Sequence, residues 1–424
     1  MLFLLLTQSG KYAYYARDAL DQLQDFPQYY MAAVVLWHGA ADSLYPHPKP
    51  EALSNPGMVD QSDAKERWRQ LADERGVGES YRFIQSPPVA MLLSWMGPLP
   101  VGLAHPLWLG LLTLATIGIA VQAGAMVRLC FGRAHRLSGV AALLVMLSPQ
   151  AHRWIRVGNM SPIIGWLIGA TVLALTRRES ARAGMALAFG AVIKYATLVL
   201  LPVIAVRRNW RAMLTATALA AAMLGISLFW PGIESWRTFL DDIAPRLGRT
   251  GLVSFNQSLY AVMLRSLDLW REDAMPPAWE TAFRIAKWGT FLGLLGLTWW
   301  RRARISEQSS SLFAASLALV CWLLVFSPIF WEHYYAYVAP FIGYLAWEAT
   351  RSRARLAATL VFAALALVPM VTVLQRLSRV LNAEIRLVEP FFSHLLWGVV
   401  LAMLIAVSRL VASRPDSTRS PTVP

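Results

Sequence analysis

The chain has 424 residues, of which 56% are apolar, and a formal net charge of +14 at pH 7. This much apolar sequence argues against an ordinary set of soluble domains. The basic residues stand in short clusters between apolar runs, which is typical of membrane topology signals and argues against a nucleic-acid partner. The two cysteines, Cys130 and Cys321, predict neither a disulfide framework nor a metal site.

The N-terminal region differs from the rest of the chain. Met1 to Leu6 is apolar but too short to span a bilayer, so we interpret it as the remnant of a first helix. No basic segment precedes it and no clear cleavage site follows, which argues against a signal peptide. We expect residues 8–105 to form a first outer region with interfacial helices.

Later in the chain, apolar runs predict an all-α polytopic membrane protein with about 10–12 transmembrane or re-entrant helical segments. The runs are 106–127, 137–150, 160–176, 183–206, 212–230, 283–300, 311–327, 334–350, 355–375 and 391–411. They indicate a single membrane-embedded domain over residues 1–411, followed by a short cytoplasmic tail over 412–424.

Arginine clusters predict the orientation, because basic residues favour the cytoplasmic side. The clusters are Arg128, Arg133 and Arg136; Arg177, Arg178 and Arg182; Arg207, Arg208 and Arg211; Arg301, Arg302 and Arg304; Arg351, Arg353 and Arg355; and Arg409, Arg414 and Arg419. All six are cytoplasmic if the run 183–206 enters and leaves on one side. A single span would bury Lys194, so we predict a re-entrant hairpin at Lys194. The alternative is a plain span with one cluster outside.

Under this topology the outer segments hold most of the unusual polar residues. They are 8–105, 151–159, 231–282, 328–333 and 376–390. In the first of them, Asp25 precedes an amphipathic stretch that runs from Pro27 to Trp37. A carboxylate beside aromatic residues at the membrane surface is a candidate general base. The alternative role is the N-cap of that helix, and Asp18 and Asp21 are competing carboxylates.

Two later outer segments carry groups suited to phosphate or sugar. Arg153, Arg156 and Asn159 lie in the polar loop 151–159, and arginine suits phosphate binding. A solvated loop that touches lipid head groups is the alternative. Asn256 and Gln257 lie in the large outer loop 231–282, where side-chain amides bind sugar hydroxyls or cap the loop.

The densest polar group follows Ser327-Pro328 and consists of Trp331, Glu332 and His333 among further aromatic residues. An aromatic belt at the membrane interface explains the rings but leaves Glu332 and His333 unexplained. No metal-ligand spacing and no glycine-rich phosphate loop accompany them, so we expect no metal and no cofactor.

These motifs follow one another in a fixed order along the chain. The order is Asp25-Phe26, Tyr29-Tyr30, Leu44-Tyr45, Ser86-Pro87-Pro88, Gly158-Asn159, Ala183-Gly184 with Lys194, Asn256-Gln257-Ser258-Leu259, and Ser327-Pro328 leading to Trp331-Glu332-His333. Together they resemble glycosyltransferase family 87 of the membrane-embedded GT-C superfamily, over about residues 18 to 350. Known members include actinobacterial α-mannosyltransferases that use polyprenyl-phosphate mannose. The chain departs from the family in its nearly absent first helix and in Gln85-Ser86, where a tyrosine often precedes the paired prolines.

The resemblance implies a transferase active on the extracytoplasmic face of a bacterial inner membrane, with Asp25 and His333 as catalytic residues. The donor would be a polyprenyl-phosphate-linked hexose, mannose by default, and the acceptor a lipid or glycan. Asp25 would deprotonate the acceptor hydroxyl in an inverting displacement. The leaving phosphate needs positive charge, for which the candidates are Lys194, His333, Arg153 and Arg156, with the first two favoured. The residues expected around the sugar or acceptor are Tyr29, Asn159, Asn256, Gln257, Trp331 and Glu332.

Two other classes of protein remain open from the sequence. A transporter or flippase of lipid-linked sugars would also have many spans, but it should show paired broken helices in two similar halves. No such pairing is visible in the sequence. A non-catalytic assembly factor is opposed only by Asp25 and His333.

Overall fold

The computed structural model describes residues 25–45, 66–77, 83–131, 136–247, 256–266, 275–367 and 393–412. Over these ranges the regular secondary structure is entirely helical. The apolar N-terminal remnant, Asp18, Asp21 and the outer segment 376–390 lie outside the described residues, as does the tail beyond residue 412.

Among the described residues, three short α-helices precede the first long one: α1 spans Phe26–Trp37, α2 spans Glu66–Glu74 and α3 spans Pro87–Leu93. Every residue of α1 from Phe26 to Leu36 is buried. The amphipathic interpretation of this stretch is therefore wrong, because a helix buried on all sides is a core helix. It packs against α3 and the adjoining 3-10 turn Ser94–Met96.

The next segment contains α4 (Val101–Phe131), α5 (Leu137–Leu147), α6 (Pro149–Val157) and α7 (Ser161–Thr176). The predicted run 137–150 ends early, since Ser148 caps a new helix by accepting a hydrogen bond from the Ala151 amide at 3.1 Å. Pro149 follows it at the first helical position, where proline is favoured. The predicted loop 151–159 is therefore mostly the helix α6.

The chain reverses direction at Lys194. Helix α8 spans Ser180–Ile193, and the return arm consists of the 3-10 helix Tyr195–Leu200 and α9, Leu201–Val206. Lys194 itself is extended (φ −161°, ψ 112°). The Thr197 hydroxyl donates to the Leu187 carbonyl at 3.1 Å. A bond between residues ten apart in sequence requires the return arm to fold back along α8.

Helix α10 (Trp210–Phe229) then runs beside α8, and the two helices start at the same end. A Cβ on Gly184, near the start of α8, would lie 2.5 Å from the carbonyl oxygen of Ala212, near the start of α10. Partial burial and the nearby charge of Arg178 both lower the pKa of Arg207. The segment 183–206 therefore enters and leaves at one end, which is the geometry predicted for a hairpin.

The region predicted as a large outer loop, 231–282, contains much helix. It includes α11 (Ile233–Thr238), a π-helical turn (Phe239–Ile243), α12 (Ala244–Leu247) and α13 (Leu259–Ser266), and α14 (Pro277–Trp300) begins within it. The short α15 (Arg302–Glu307) leads to α16 (Ser309–Phe326), which is buried along almost all of its length.

The predicted span 334–350 is broken. Two 3-10 helices, Glu332–Tyr337 and Ala339–Phe341, precede α17, Ile342–Ala349. Pro340 has no N–H to give to a continuous α-helix, which is consistent with a break there. Helices α18 (Arg353–Leu367) and α19 (His394–Val411) complete the described chain.

Near the end of α17, Glu348 is fully buried and forms ion pairs with two arginines from other helices. One is Arg355 of α18, and the other is Arg409 of α19, whose Nε lies 3.7 Å from the carboxylate. Arg409 also donates to Ser310 of α16 at 3.2 Å. The network therefore joins α16, α17, α18 and α19.

By length and composition, four of the described helices can cross a membrane: α4, α10, α16 and α19. Shorter apolar helices lie between them. In α16, 89% of the residues in the apolar stretch are buried, so this helix occupies the centre of the bundle. In α10 only 22% are buried, so it faces outward. The chain is thus an all-α polytopic membrane protein.

Candidate functional site

Asp25 lies at the N-cap position of α1, but its side chain makes no capping hydrogen bond. Its Oδ1 accepts from Gln28 Nε2 at 2.9 Å, and its Oδ2 accepts from Asn159 Nδ2 at 2.7 Å. The backbone N–H of Asp25 donates to the Val157 carbonyl at 2.9 Å. The capping role is therefore wrong, and the carboxylate is held between two amides.

The environment of Asp25 favours a base stronger than an exposed aspartate. Burial raises the pKa of the Asp25 carboxyl, while the bonds from Asn159 and Gln28 and the charges of Lys194 and Arg153 oppose that rise. A raised pKa brings a carboxylate closer to the value that suits proton transfer near neutral pH.

The turn that carries Asn159 depends on a glycine. Gly158 ends α6 in the left-handed region (φ +73°), where non-glycine residues are strained. A Cβ on Gly158 would lie 3.1 Å from Cβ of Phe26, the residue after Asp25. Trp108 of α4 donates from Nε1 to the Gly158 carbonyl at 2.8 Å. This close packing brings the end of α6 against the start of α1.

Lys194 lies at the apex of the hairpin, where burial lowers the pKa of its ammonium to about 7 and the charge of Asp25 opposes that fall. Its ammonium lies 3.7 Å from the centroid of the Tyr334 ring, a cation–π contact. The Ser86 hydroxyl donates to the Val192 carbonyl at 3.4 Å and so joins the start of α3 to the apex. Lys194 is half-buried, which leaves its charge accessible to a ligand.

The turn 331–334 lies across from α6. Arg153 of α6 forms an ion pair with Glu332, with 3.6 Å between Nε and Oε2, and both side chains remain partly exposed. The Trp331 ring stacks on the His333 ring with centroids 6.2 Å apart, and His333 meets Tyr334 edge-on at 4.7 Å.

His333 is buried, and its burial together with the charges of Lys194 and Arg153 lowers its pKa well below the usual value. The imidazole is therefore neutral near pH 7. This argues against the positive charge expected of His333 and leaves it a hydrogen-bonding role.

Asn256 and Gln257 hold the segment that precedes this turn. Asn256 donates from Nδ2 to the Pro328 carbonyl at 3.0 Å, and its Oδ1 accepts from the Phe330 N–H at 2.9 Å. The Gln257 N–H donates to the Phe330 carbonyl at 2.6 Å. Asn256 is thus engaged with protein, not free to bind a sugar. The Gln257 side chain is buried, and neither of its polar atoms finds a partner within the described residues.

The structure brings most of the predicted site residues together. Hydrogen bonds, ion pairs or electrostatic interactions connect Asp25, Asn159, Lys194, Arg153, Glu332, His333 and Tyr29. Trp331 adjoins the group through its ring contact with His333. Asn256 and Gln257 bind the backbone of Pro328 and Phe330, just before the turn. Arg156 is exposed and is not among the charges that act on Asp25 or His333. Over the described ranges, no cluster of three or more potential metal ligands is found.

Sequence reasoning assigned no role to three residues that contact this group: Gln28, Ser161 and Tyr334. The spacing of Gln28, three residues after Asp25, is a helical contact distance that pointed to it. Tyr334 adjoins His333, but no local pattern predicts its contact with Lys194, 140 residues away in the sequence. Ser161 follows Asn159 by two residues, a spacing typical of side-chain to backbone turns.

A comparison with known protein families identifies the family to which the chain belongs. The model of glycosyltransferase family 87 matches residues 83–328, which is more than half of the sequence. The matched stretch includes Arg153, Asn159, Lys194 and Asn256; it begins after Asp25 and ends before Glu332 and His333. No curated protein matches the chain.

Proposed function

Because the chain belongs to glycosyltransferase family 87, we propose that this membrane glycosyltransferase moves a hexose from a polyprenyl-phosphate donor to an acceptor hydroxyl. Mannose is the default sugar, and the acceptor is a lipid or glycan. The family membership supports an enzyme over the transporter or flippase that the sequence left open, and no structural observation favours the latter.

One observation carries the proposal: a half-buried carboxylate lies beside positively charged side chains. Asp25 is held by two amide donors, and the charges of Lys194 and Arg153 act on it. This arrangement suits a reaction that removes a proton at one point and releases a phosphate anion nearby. Such electrostatic groups stabilise charge that develops in the transition state.

In the proposed step, Asp25 takes the proton of the acceptor hydroxyl as its oxygen bonds to the anomeric carbon. The bond between that carbon and the phosphate oxygen breaks, and polyprenyl phosphate leaves with the electron pair. A single displacement inverts the configuration at the anomeric carbon. Neutral His333 donates or accepts a hydrogen bond to the substrate and does not carry charge.

The leaving phosphate needs the positive charge of Lys194 and Arg153. Lys194 rests on the Tyr334 ring, a weak partner that a phosphate oxygen can replace. Arg153 is paired with Glu332, and the pair is 39% and 22% exposed, so its guanidinium is open to a competing anion. Arginine binds phosphate through paired N–H donors, which adds orientation to charge.

The arginines support an active site on the extracytoplasmic face. The two ends of the hairpin carry Arg178 and Arg207, whereas Lys194 lies at the apex. Because loop arginines favour the cytoplasm, the apex points toward the opposite side. A bacterial inner membrane fits this orientation and a lipid-linked donor.

The test is transfer by the purified protein in lipid nanodiscs supplied with synthetic polyprenyl-phosphate mannose and other polyprenyl-phosphate hexoses. We expect release of polyprenyl phosphate, and a loss of at least about 100-fold in Asp25→Asn, the scale of general base catalysis. Asp241→Asn makes the same change at an exposed position and should keep full activity. Normal transfer by Asp25→Asn would reject the base assignment.

A further inference from the structure

Asn159 has one amide group, and its two ends have different partners. The Oδ1 atom accepts two hydrogen bonds from Ser161, one from the backbone N–H at 2.8 Å and one from the hydroxyl at 2.6 Å. The Nδ2 atom donates to Asp25 Oδ2 at 2.7 Å. The side chain is buried, with 7% of its surface exposed.

The direction of this amide is fixed by chemistry. A backbone N–H can only donate, so it must face the oxygen of Asn159. The NH₂ group is then left to face Asp25, whose carboxylate can only accept when ionised. A rotation of the amide by half a turn would place donor against donor at Ser161 and acceptor against acceptor at Asp25.

We propose that Asn159 is a positioning residue for Asp25, and that Ser161 sets the direction in which the Asn159 amide points. This role rests on the proposed function of Asp25 as the base. It replaces the expectation that Asn159 binds the sugar, because both ends of its amide are already engaged with protein. Donation to the ionised form keeps the carboxylate charged and fixes its rotamer.

Asn159 also occupies the start of α7, where its oxygen binds the Ser161 N–H, so a merely structural capping role is the competing explanation. The variant Asn159→Asp separates the two roles. It keeps an oxygen of the same shape for the Ser161 N–H, and aspartate is as good a cap as asparagine. It replaces the NH₂ donor with a second carboxylate directed at Asp25.

The readout is the pH dependence of kcat/KM for transfer in nanodiscs. The groups that act on Asp25 from the surrounding elements are the Lys194 ammonium, whose own pKa lies at about 7, the Arg153 guanidinium, and the hydroxyls of Tyr29 and Tyr334. All four remain in the variant. Two carboxylates in one site raise the pKa of one of them, so the acid limb should move to higher pH, by about one unit or more. At pH values below both acid limbs, we expect kcat/KM to fall about tenfold for each unit by which the limb moves, since one unit in pKa is a factor of ten there.

Ser161→Ala provides a second variant that removes only the hydroxyl. It should move the acid limb in the same direction by a smaller amount, and Ser161→Thr should restore the wild-type profile. Thr171→Ala is the matched control, since it removes a buried hydroxyl of the same helix that bonds only to the Leu167 carbonyl. Its profile should match wild type.

The result separates this inference from the proposed function. If Asp25→Asn transfers sugar normally, the base assignment fails and the positioning role fails with it. If Asp25→Asn is inactive while folded Asn159→Asp and Ser161→Ala keep the wild-type acid limb, the positioning role alone is overturned.

Discussion

At the scale of single residues, Lys194 is the group whose removal should weaken donor binding. The variant Lys194→Met keeps the length of the side chain and deletes the charge. We expect KM for the donor to rise about tenfold or more, because charge-assisted bonds to phosphate are among the stronger hydrogen bonds. Lys194 also opposes the rise in the pKa of Asp25, so its loss should move the acid limb of kcat/KM to higher pH.

Lys287 offers a matched control for Lys194, since its ammonium lies 5.7 Å from the centroid of the Trp288 ring in a similar contact on α14. Lys287→Met should leave KM and the pH profile unchanged. An unaltered donor KM in Lys194→Met, measured at saturating acceptor, would contradict the phosphate role.

At the scale of elements, the hairpin formed by α8 and its return arm depends on close packing at Gly190. A Cβ on Gly190 would lie 2.2 Å from Cγ2 of Thr197, a side chain with restricted rotamers. Gly190→Ala should therefore separate the arms and displace Lys194. We expect a lower Tm in detergent and a higher donor KM. The fall in Tm should correspond to a loss of about 1–3 kcal/mol in the free energy of unfolding, which is typical of an overpacked core.

Gly225 shows what the same substitution does without crowding. It lies within α10, and a Cβ there would meet nothing within 4 Å. Alanine is preferred over glycine in a helix by about 0.5–1 kcal/mol, so Gly225→Ala should leave Tm equal or higher. Equal stability of the two alanine variants would show that Gly190 is not a packing constraint.

Sequence patterns predicted the elements well where the pattern was local. The long apolar runs gave α4, α10 and α16, and the charge at Lys194 located the reversal of the chain. They failed at Ser148-Pro149, where one apolar run contains a helix end and a helix start. They failed also at 334–350, because apolar composition does not distinguish 3-10 turns from a continuous helix.

For the candidate site, the sequence identified the participating residue types but not their partners. Asp25 and Asn159 lie 134 residues apart and meet only because Gly158 allows α6 to pack against α1. The helix cap was the alternative interpretation of Asp25, and tertiary packing gives its carboxylate a bond from Asn159 instead. The sugar contact expected of Asn159 stays a prediction, against which the positioning role is proposed.

At the scale of the whole molecule, orientation in the membrane is open to a direct test. In a background with Cys130 and Cys321 replaced by alanine, we would introduce single cysteines at Arg182, Arg211 and Arg156, all exposed. An impermeant maleimide should label Arg182→Cys and Arg211→Cys only from the cytoplasmic side, and Arg156→Cys only from the opposite side.

Labelling is compared between inside-out vesicles, which expose the cytoplasmic side to the maleimide, and intact cells, which expose the opposite side. Labelling of Arg182→Cys and Arg211→Cys on opposite sides would contradict the hairpin. Labelling of all three from one side would contradict an active site across the membrane from the arginine clusters.

The hairpin at Lys194 also bears on how such a chain can change over evolutionary time. A segment that returns to the side from which it came adds no net crossing of the membrane. Its presence therefore does not change the side on which the following helices begin. Lengthening, shortening or deleting it would not invert the helices that follow, whereas losing α10 or α16 would. The element that carries the lysine proposed to bind phosphate is therefore one that insertions and deletions can reshape without reversing the rest of the protein.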